Sequence, residues 1–262
     1  MKLRSLILST VILAALHTSS ALAALVVTYA EQPSAVTSTV GHTSMFTFDN
    51  LSTFQKLTNV TWTGVGTYDQ LYIKPADTYG GAVDASYPGG SPYSRQGPDT
   101  PVSTTTLALS QPSAYFGFLW SAGDSTNVMD FYSDSTLVAK FTTTNLMKNL
   151  SSDYYGNPRN RSLDYWEPTG FINFYGDLGT TWNKIVFSNN SITSAFESDN
   201  HTSRVGAWGT QPGDTGPMPG IPLERVEGLS VTSLTAVPEP SGILVTGSVL
   251  ALGLCIRRRT AI

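Results

Sequence analysis

Apolar residues in this chain come in short runs broken by Gly, Pro, Asn, Asp and Ser, a rhythm that predicts strands and turns rather than helices. Residues 115–120, Tyr-Phe-Gly-Phe-Leu-Trp, are aromatic and nearly continuous, as in a central strand covered on both faces. Residues 121–125 read as a loop, 128–132 as a second strand and Asp134-Ser135 as a tight turn. In the third run Leu137, Ala139 and Phe141 alternate with Val138 and Lys140, the period of two of a half-buried strand. A second group comprises 171–175, a Gly-Asp-Leu-Gly turn at 176–179, and 182–187. In its last run Asn183, Ile185 and Phe187 fall on one face and Trp182, Lys184 and Val186 on the other. Further strands are expected at 25–29, 43–48, 60–63, 70–74 and 105–110, and later at 193–196 and 204–208. About a dozen short strands predict an all-β fold, a β-sandwich of jelly-roll type. No sustained helical period occurs between the termini, and no repeat of about 20–50 residues marks a propeller or solenoid. Residues 75–101, with five prolines, read as a loop. Residues 210–222 read as an extended Pro/Gly spacer, and 223–234 as an edge strand or more linker.

The two ends read as addresses. Lys2 and Arg4 precede an apolar run over residues 6–16, and small residues Ala21 and Ala23 close it. This is the three-part layout of a secretory signal peptide, with cleavage expected between Ala23 and Ala24. The run is too short for a membrane span, which needs about 20 apolar residues. At the other end Pro238-Glu239-Pro240 precedes a Gly-rich apolar stretch of 16 residues, 241–256, and then Arg257, Arg258 and Arg259. As a helix that stretch is about 24 Å long, slightly short of a bilayer core of about 30 Å. The arginines would stay cytoplasmic, leaving the middle of the chain outside, where an exported N-terminus also puts it. The expected division is a signal peptide at 1–23, a β-sandwich domain at 24–209, a linker at 210–236, and a terminal segment at 237–262 with a transmembrane helix and an Arg cluster.

Composition narrows the function. Charged residues are 13% of the chain, against about 25% in an average soluble domain. Lys2, Arg4 and Arg257 to Arg259 are five of the 15 basic residues, and Glu239 is one of the 19 acidic ones. Residues 24–236 therefore hold 10 basic and 18 acidic residues, a net charge of −8. Nucleic acid is excluded as a partner and an anionic lipid surface disfavoured. The one cysteine, Cys255, lies in the terminal apolar stretch, so a disulfide framework and a thiolate metal cluster are excluded. Six Asn-x-Ser/Thr sequons occur, as chance dictates in so Ser/Thr-rich a chain.

The ordered triad of Pro238-Glu239-Pro240, apolar stretch and Arg257 to Arg259 resembles the PEP-CTERM sorting signal. That resemblance implies an exosortase as processing partner, transient inner-membrane anchoring through the C-terminal helix, and removal of the tail near the Pro-Glu-Pro. Interior segments extend it: 75–82 (Pro-Ala-Asp-Thr-Tyr-Gly-Gly-Ala), 115–124, Tyr154-Tyr155-Gly156-Asn157-Pro158 and residues 196–202 (Phe-Glu-Ser-Asp-Asn-His-Thr). In this order they are similar to one group of PEP-CTERM exosortase-dependent surface proteins, over about residues 40–262. The resemblance implies a β-sandwich at the cell surface or in the extracellular matrix, and no catalytic residue.

The candidate chemistry is sparse. Beyond the signal only His42 and His201 remain. Two histidines and no cysteine leave too few ligands for zinc, and no Gly-x-Ser-x-Gly elbow supplies a nucleophile. Glycoside hydrolysis needs two facing carboxylates; Glu31, Glu167, Glu197, Glu224 and Glu227 are available, and the sequence marks no pair. Calcium takes six to eight oxygens, which Asp49, Glu197, Asp199 and Asn200 would contribute in part if the first and last strands converge. The competing reading makes Asp199-Asn200 a turn bonded to its own backbone. Tyr79, Tyr154, Tyr155 and Trp166 lie in loops where aromatics can stack on sugar faces. The expectation is a non-enzymatic exported surface or matrix protein. The alternatives are a carbohydrate-binding module for exopolysaccharide, calcium-dependent or not, and a secreted hydrolase.

Overall fold

The computed structural model describes residues 24–177, 179–208 and 210. The segments expected to be a signal peptide, a linker beyond 210 and a terminal sorting signal lie outside the described residues. Within them the chain is all-β, with eleven antiparallel-paired strands: β1 (Ala24–Tyr29), β2 (Thr43–Phe46), β3 (Lys56–Trp62), β4 (Gly66–Lys74), β5 (Tyr93–Gln96), β6 (Thr104–Ser121), β7 (Asn127–Ser133), β8 (Thr136–Thr142), β9 (Gly170–Asp177), β10 (Trp182–Asn189) and β11 (Phe196–Val205). One helical turn at Thr144–Met147 and one 3-10 turn at Ser152–Tyr154 are the helical elements among the described residues. No helix there is long and apolar enough to cross a membrane.

The expected strands at 105–110 and 115–120 are halves of one 18-residue strand, β6. Its first half pairs with β4 and β10, and its second half with β9 and β11. The change of partners falls around Ser110-Gln111-Pro112, where Pro112 offers no N–H to a ladder. β6 is thus shared by two layers, one running β2–β11–β6–β9–β1 and the other β3–β4–β6–β10–β7–β8. β5 joins their edges by pairing with both β4 and β11. It lies inside the Pro-rich segment expected to be all loop, and its four residues are too few to show a period.

Between the layers Phe116, Phe118 and Trp120 of β6 meet Phe131, Phe141, Phe174, Phe187 and Phe196. Each such side chain, fully buried, contributes about 1.5–3 kcal/mol of transfer free energy. Trp182 belongs to the same core as Ile185 and Phe187, although strict alternation puts it on the opposite face. The register between β10 and β6 shifts at this point, Trp182 standing opposite Ser113 and Lys184 opposite Ala108, so the alternation breaks and Trp182 turns inward.

The outer face of the β11–β6–β9 layer is covered too. Leu119 and Phe171 pack under Ala30, Ala35, Val36 and Ala82, while Tyr115 and Tyr175 pack against Trp208. This is why residues 115–120 read as buried on both sides. Gly117 lies in this layer, where a Cβ would meet the Tyr115 hydroxyl and come within 2.8 Å of the Phe171 ring, so only glycine fits.

Candidate functional site

β11 organises the polar chemistry. Phe196 and Ser198 turn into the sandwich, so Glu197 and Asp199 face the loops outside. The segment expected to be a turn is instead continuous strand across 196–205. A register shift between Asp199 and Thr202, with Asn200 at φ 49°, marks a bulge, and Asn is among the residues that tolerate this conformation.

Glu197 stands opposite Arg95 of β5 and Ser121 of β6. Arg95 Nε is 3.0 Å from Glu197 Oε1, and the same guanidinium reaches Asp99 at 3.0 Å. The Tyr79 ring lies 5.5 Å beneath it. Glu197 is buried, and its Oε2 accepts no hydrogen bond from the protein. Burial pushes its carboxyl well up against the opposing pull of Arg95, and Asp124, Glu167 and Asp77 add to the rise. Asp77 accepts a hydrogen bond from the Tyr93 hydroxyl at 2.9 Å and an ion pair from Lys74 at 3.1 Å. Glu167 is pushed up to about 8, by burial first and then by its hydrogen-bonded neighbour Asp164. Burial also raises Asp164 and Asp124. One end of the sandwich therefore gathers Asp77, Asp124, Asp164, Glu167 and Glu197 within electrostatic reach of one another, with Arg95 among them.

The loop carrying Asp164 and Glu167 is held at many points. Gly156 N donates to Glu167 O, Thr169 N to Tyr154 O and Gly123 N to Pro168 O. Asn157 Nδ2 donates to the carbonyls of Asp77 and Thr78, Arg159 to those of Gly89 and Asp77, and Arg161 to that of Pro33. Gly156 has φ 103° where the loop doubles back on Arg161, a conformation natural to glycine. Out of this frame Tyr165 and Trp166 project, 53% and 73% exposed, with ring centroids 4.2 Å apart and planes tilted by 39°.

Elsewhere polar residues serve the interior. Asp199 accepts from Ala82 N (2.9 Å), Ser91 Oγ (2.5 Å) and Asn200 N (2.7 Å). Burial raises it to about 7 against those three bonds. His201 lies among the rings of Phe48, Phe116, Phe118 and Phe187. Its Nδ1 is 3.0 Å from the Tyr68 hydroxyl and its Nε2 is 2.9 Å from Ser198 Oγ. Burial lowers it to about 3, so it is a neutral core residue.

The sequence candidates separate accordingly. Ala24 begins β1 opposite Asp177. Tyr154 is not a loop platform: it is buried, and its hydroxyl donates to the carbonyls of Ala30 and Glu31. Tyr155 packs partly buried against the core. Tyr79 and Trp166 are exposed. His42 is exposed just before β2, away from the ring cage of His201. Of the four oxygen residues proposed for calcium, Glu197 is ion-paired, Asp199 is saturated by donors, and Asn200 Nδ2 donates to Val36 O. Asp49 follows β2, half-buried and raised by that burial. Among the described residues no group of three or more His, Cys, Asp or Glu is arranged to hold a metal ion. Sequence reasoning missed Arg95, Asp77, Asp164 and Tyr165. The run Asp164-Tyr165-Trp166-Glu167, two rings between two acids, is the signal that could have found the last two.

No family model matches this chain. No curated protein matches it either. Among solved structures it is similar to the catalytic domain of a GH87 alpha-1,3-glucanase in complex with tetrasaccharides, at 14% identity and a TM-score of 0.30. The match covers 74% of this chain and 30% of that one, so this chain spans less than a third of its length. At that score the overlap carries no argument about function.

Proposed function

We propose that this chain is an exported, non-catalytic β-sandwich protein of the cell surface or extracellular matrix, delivered through a C-terminal sorting signal of the PEP-CTERM type. The observation that carries this reading is the ordered terminal triad: Pro238-Glu239-Pro240, a largely apolar stretch of 16 residues, then Arg257, Arg258 and Arg259, in a chain that opens with a signal-peptide pattern. The proposed mechanism is topological. The apolar segment stops transfer in the inner membrane, the arginines hold its end in the cytoplasm, and an exosortase frees the outer domain near Pro240. A jelly-roll path for the two layers belongs to the same proposal. Two features favour a non-catalytic role. The buried Glu197 is tied to Arg95, and His201 sits among core rings rather than beside an exposed nucleophile. The reading invokes no cofactor.

Intact mass, measured fraction by fraction from the native host, tests it. The expected species begins at Ala24, ends near Pro240 and lies outside the inner membrane. A species that keeps Arg257 to Arg259 and stays in the inner membrane overturns the sorting mechanism. Replacing all three arginines by alanine should weaken membrane retention and change the processed fraction; normal processing of that variant would also refute it.

A further inference from the structure

We infer that the Tyr165–Trp166 pair, with the Asp164–Glu167 carboxyl pair beside it, is a binding platform for a neutral hexopyranose chain. The inference stands apart from how the chain is delivered. It begins from an imbalance. The loop across 154–169 is fixed by backbone bonds at both ends and by side-chain bonds from Asn157, Arg159 and Arg161. Yet it leaves its two largest rings in water, Trp166 at 73% exposed. Ordering a loop costs conformational entropy, and exposed rings on an ordered frame give none of it back by burial. Their surface is available to a ligand.

The chemistry around the rings selects the ligand class. A pyranose has an apolar C–H face and a rim of hydroxyls. Aromatic rings take the face, and the rim needs paired donors and acceptors. Asp164 and Glu167 are hydrogen-bonded to each other through their side chains, so their remaining oxygens are acceptors for sugar hydroxyls, which donate. Asp77 and Asp124 lie within electrostatic reach of the same pair. Uronates and sulfated or phosphorylated glycans would bring further negative charge among these acids, which Arg95 beside Glu167 offsets in part, and a neutral chain carries no such cost. With centroids 4.2 Å apart and planes tilted by 39° the two rings lean on each other, so each keeps its outer face open, a narrow stacking surface that suits single units of a soluble chain better than a crystalline sheet of glycan.

Tryptophan fluorescence reads the site directly. Of the five tryptophans, Trp62, Trp120, Trp182 and Trp208 are buried, so Trp166 is the one a solute can reach. The purified full chain, in a detergent without a sugar headgroup, is titrated with β-1,4- and β-1,3-linked glucose hexasaccharides and with a hexuronate. A saturable change with a neutral hexasaccharide is expected. Isothermal titration calorimetry of Trp166→Ala should show affinity about 10–100-fold weaker, with thermal unfolding unchanged; Tyr165→Ala gives the same test at the second ring. The inference fails if no neutral hexasaccharide binds at millimolar concentration, if Trp166→Ala binds as wild type does, or if the hexuronate binds more tightly. It also fails if sedimentation shows the rings to be the contact between two copies of the chain.

Discussion

His201 offers a test of the core that its polarity makes possible. Its ring is enclosed by Phe48, Phe116, Phe118 and Phe187, and its two nitrogens meet only the neutral hydroxyls of Tyr68 and Ser198. Nothing in that cage compensates a charge. Burial lowers the group from 6.5 to about 3, so below pH 6.5 the unfolded chain binds a proton that the folded chain refuses. The stability tied to neutral His201 is therefore complete above pH 6.5 and is lost as pH falls toward 3. Between pH 7.5 and 4.5 the loss is about 2–3 kcal/mol, at about 1.36 kcal/mol per unit below the unfolded value. The raised carboxyls act with the opposite sign. Asp199 at about 7 and Glu167 at about 8 hold protons in the fold that the unfolded chain has released, so they favour folding as pH falls. The whole-protein curve thus mixes the two, and a difference curve separates them. Urea unfolding of wild type and His201→Gln, at pH steps from 7.5 to 4.5 (about three units), should give stabilities that converge on the acid side by about 2–3 kcal/mol. Any constant packing loss in the variant cancels from that change. A difference that stays flat with pH would mean that His201 is solvated or charged in the fold, and the argument would be wrong.

Two further outcomes follow from the same geometry. Arg95→Met removes the cation from the buried Glu197 and should cost about 3–5 kcal/mol at pH 8, with a smaller loss at pH 5, since acid favours the protonated carboxyl that burial already favours; denaturant midpoints at the two pH values check this, and equal losses would refute it. Gly117→Ala places a methyl against Tyr115 and Phe171 and should lower stability by about 1–3 kcal/mol and disturb the near-UV aromatic spectrum; a thermal midpoint and spectrum like those of wild type would show that the outer layer yields without strain.

Sequence rhythm is a good guide wherever one face meets the core and the other meets water. In β8 Ala139 and Phe141 are buried while Lys140 and Thr142 are exposed because the strand lies at the edge of its layer, whereas a register shift against β7 breaks the alternation between Leu137 and Ala139. The rhythm fails where both faces are covered by different chemistry. β11 reads Glu-Ser-Asp-Asn-His-Thr-Ser-Arg over 197–204, polar throughout, and so looks like a turn between two short strands. It is one buried strand because its outer side meets loops with specific donors, among them Ala82 N and Ser91 Oγ on Asp199, while its inner side supplies His201 to a ring cage. No periodicity encodes loops folding back from residues 82 and 91. The extra residue of β11 near Asn200 and the register shift between β10 and β6 each break the pattern of faces, which alternation cannot anticipate either.

The same failure marks the candidate site. Arg95 lies in a Pro/Gly-rich segment whose one short strand has no pattern, and its meaning comes from pairing with Glu197, 102 positions away along the chain by the numbering. The carboxyls that gather with it come from four separate loops and strands, so no local motif could announce them. Trp166 was legible as a loop aromatic, but its neighbour Tyr154 was legible in the same way and proves to be core. What separates them is where each ring can turn: Tyr154 sits at the root of the loop, its carbonyl bonded by Thr169 N and its hydroxyl reaching Ala30 and Glu31, whereas Trp166 lies in a turn closed by Glu167 N on Asp164 O and its ring stays 73% exposed. Those tertiary bonds, more than residue type, decide whether an aromatic in this loop is core or surface.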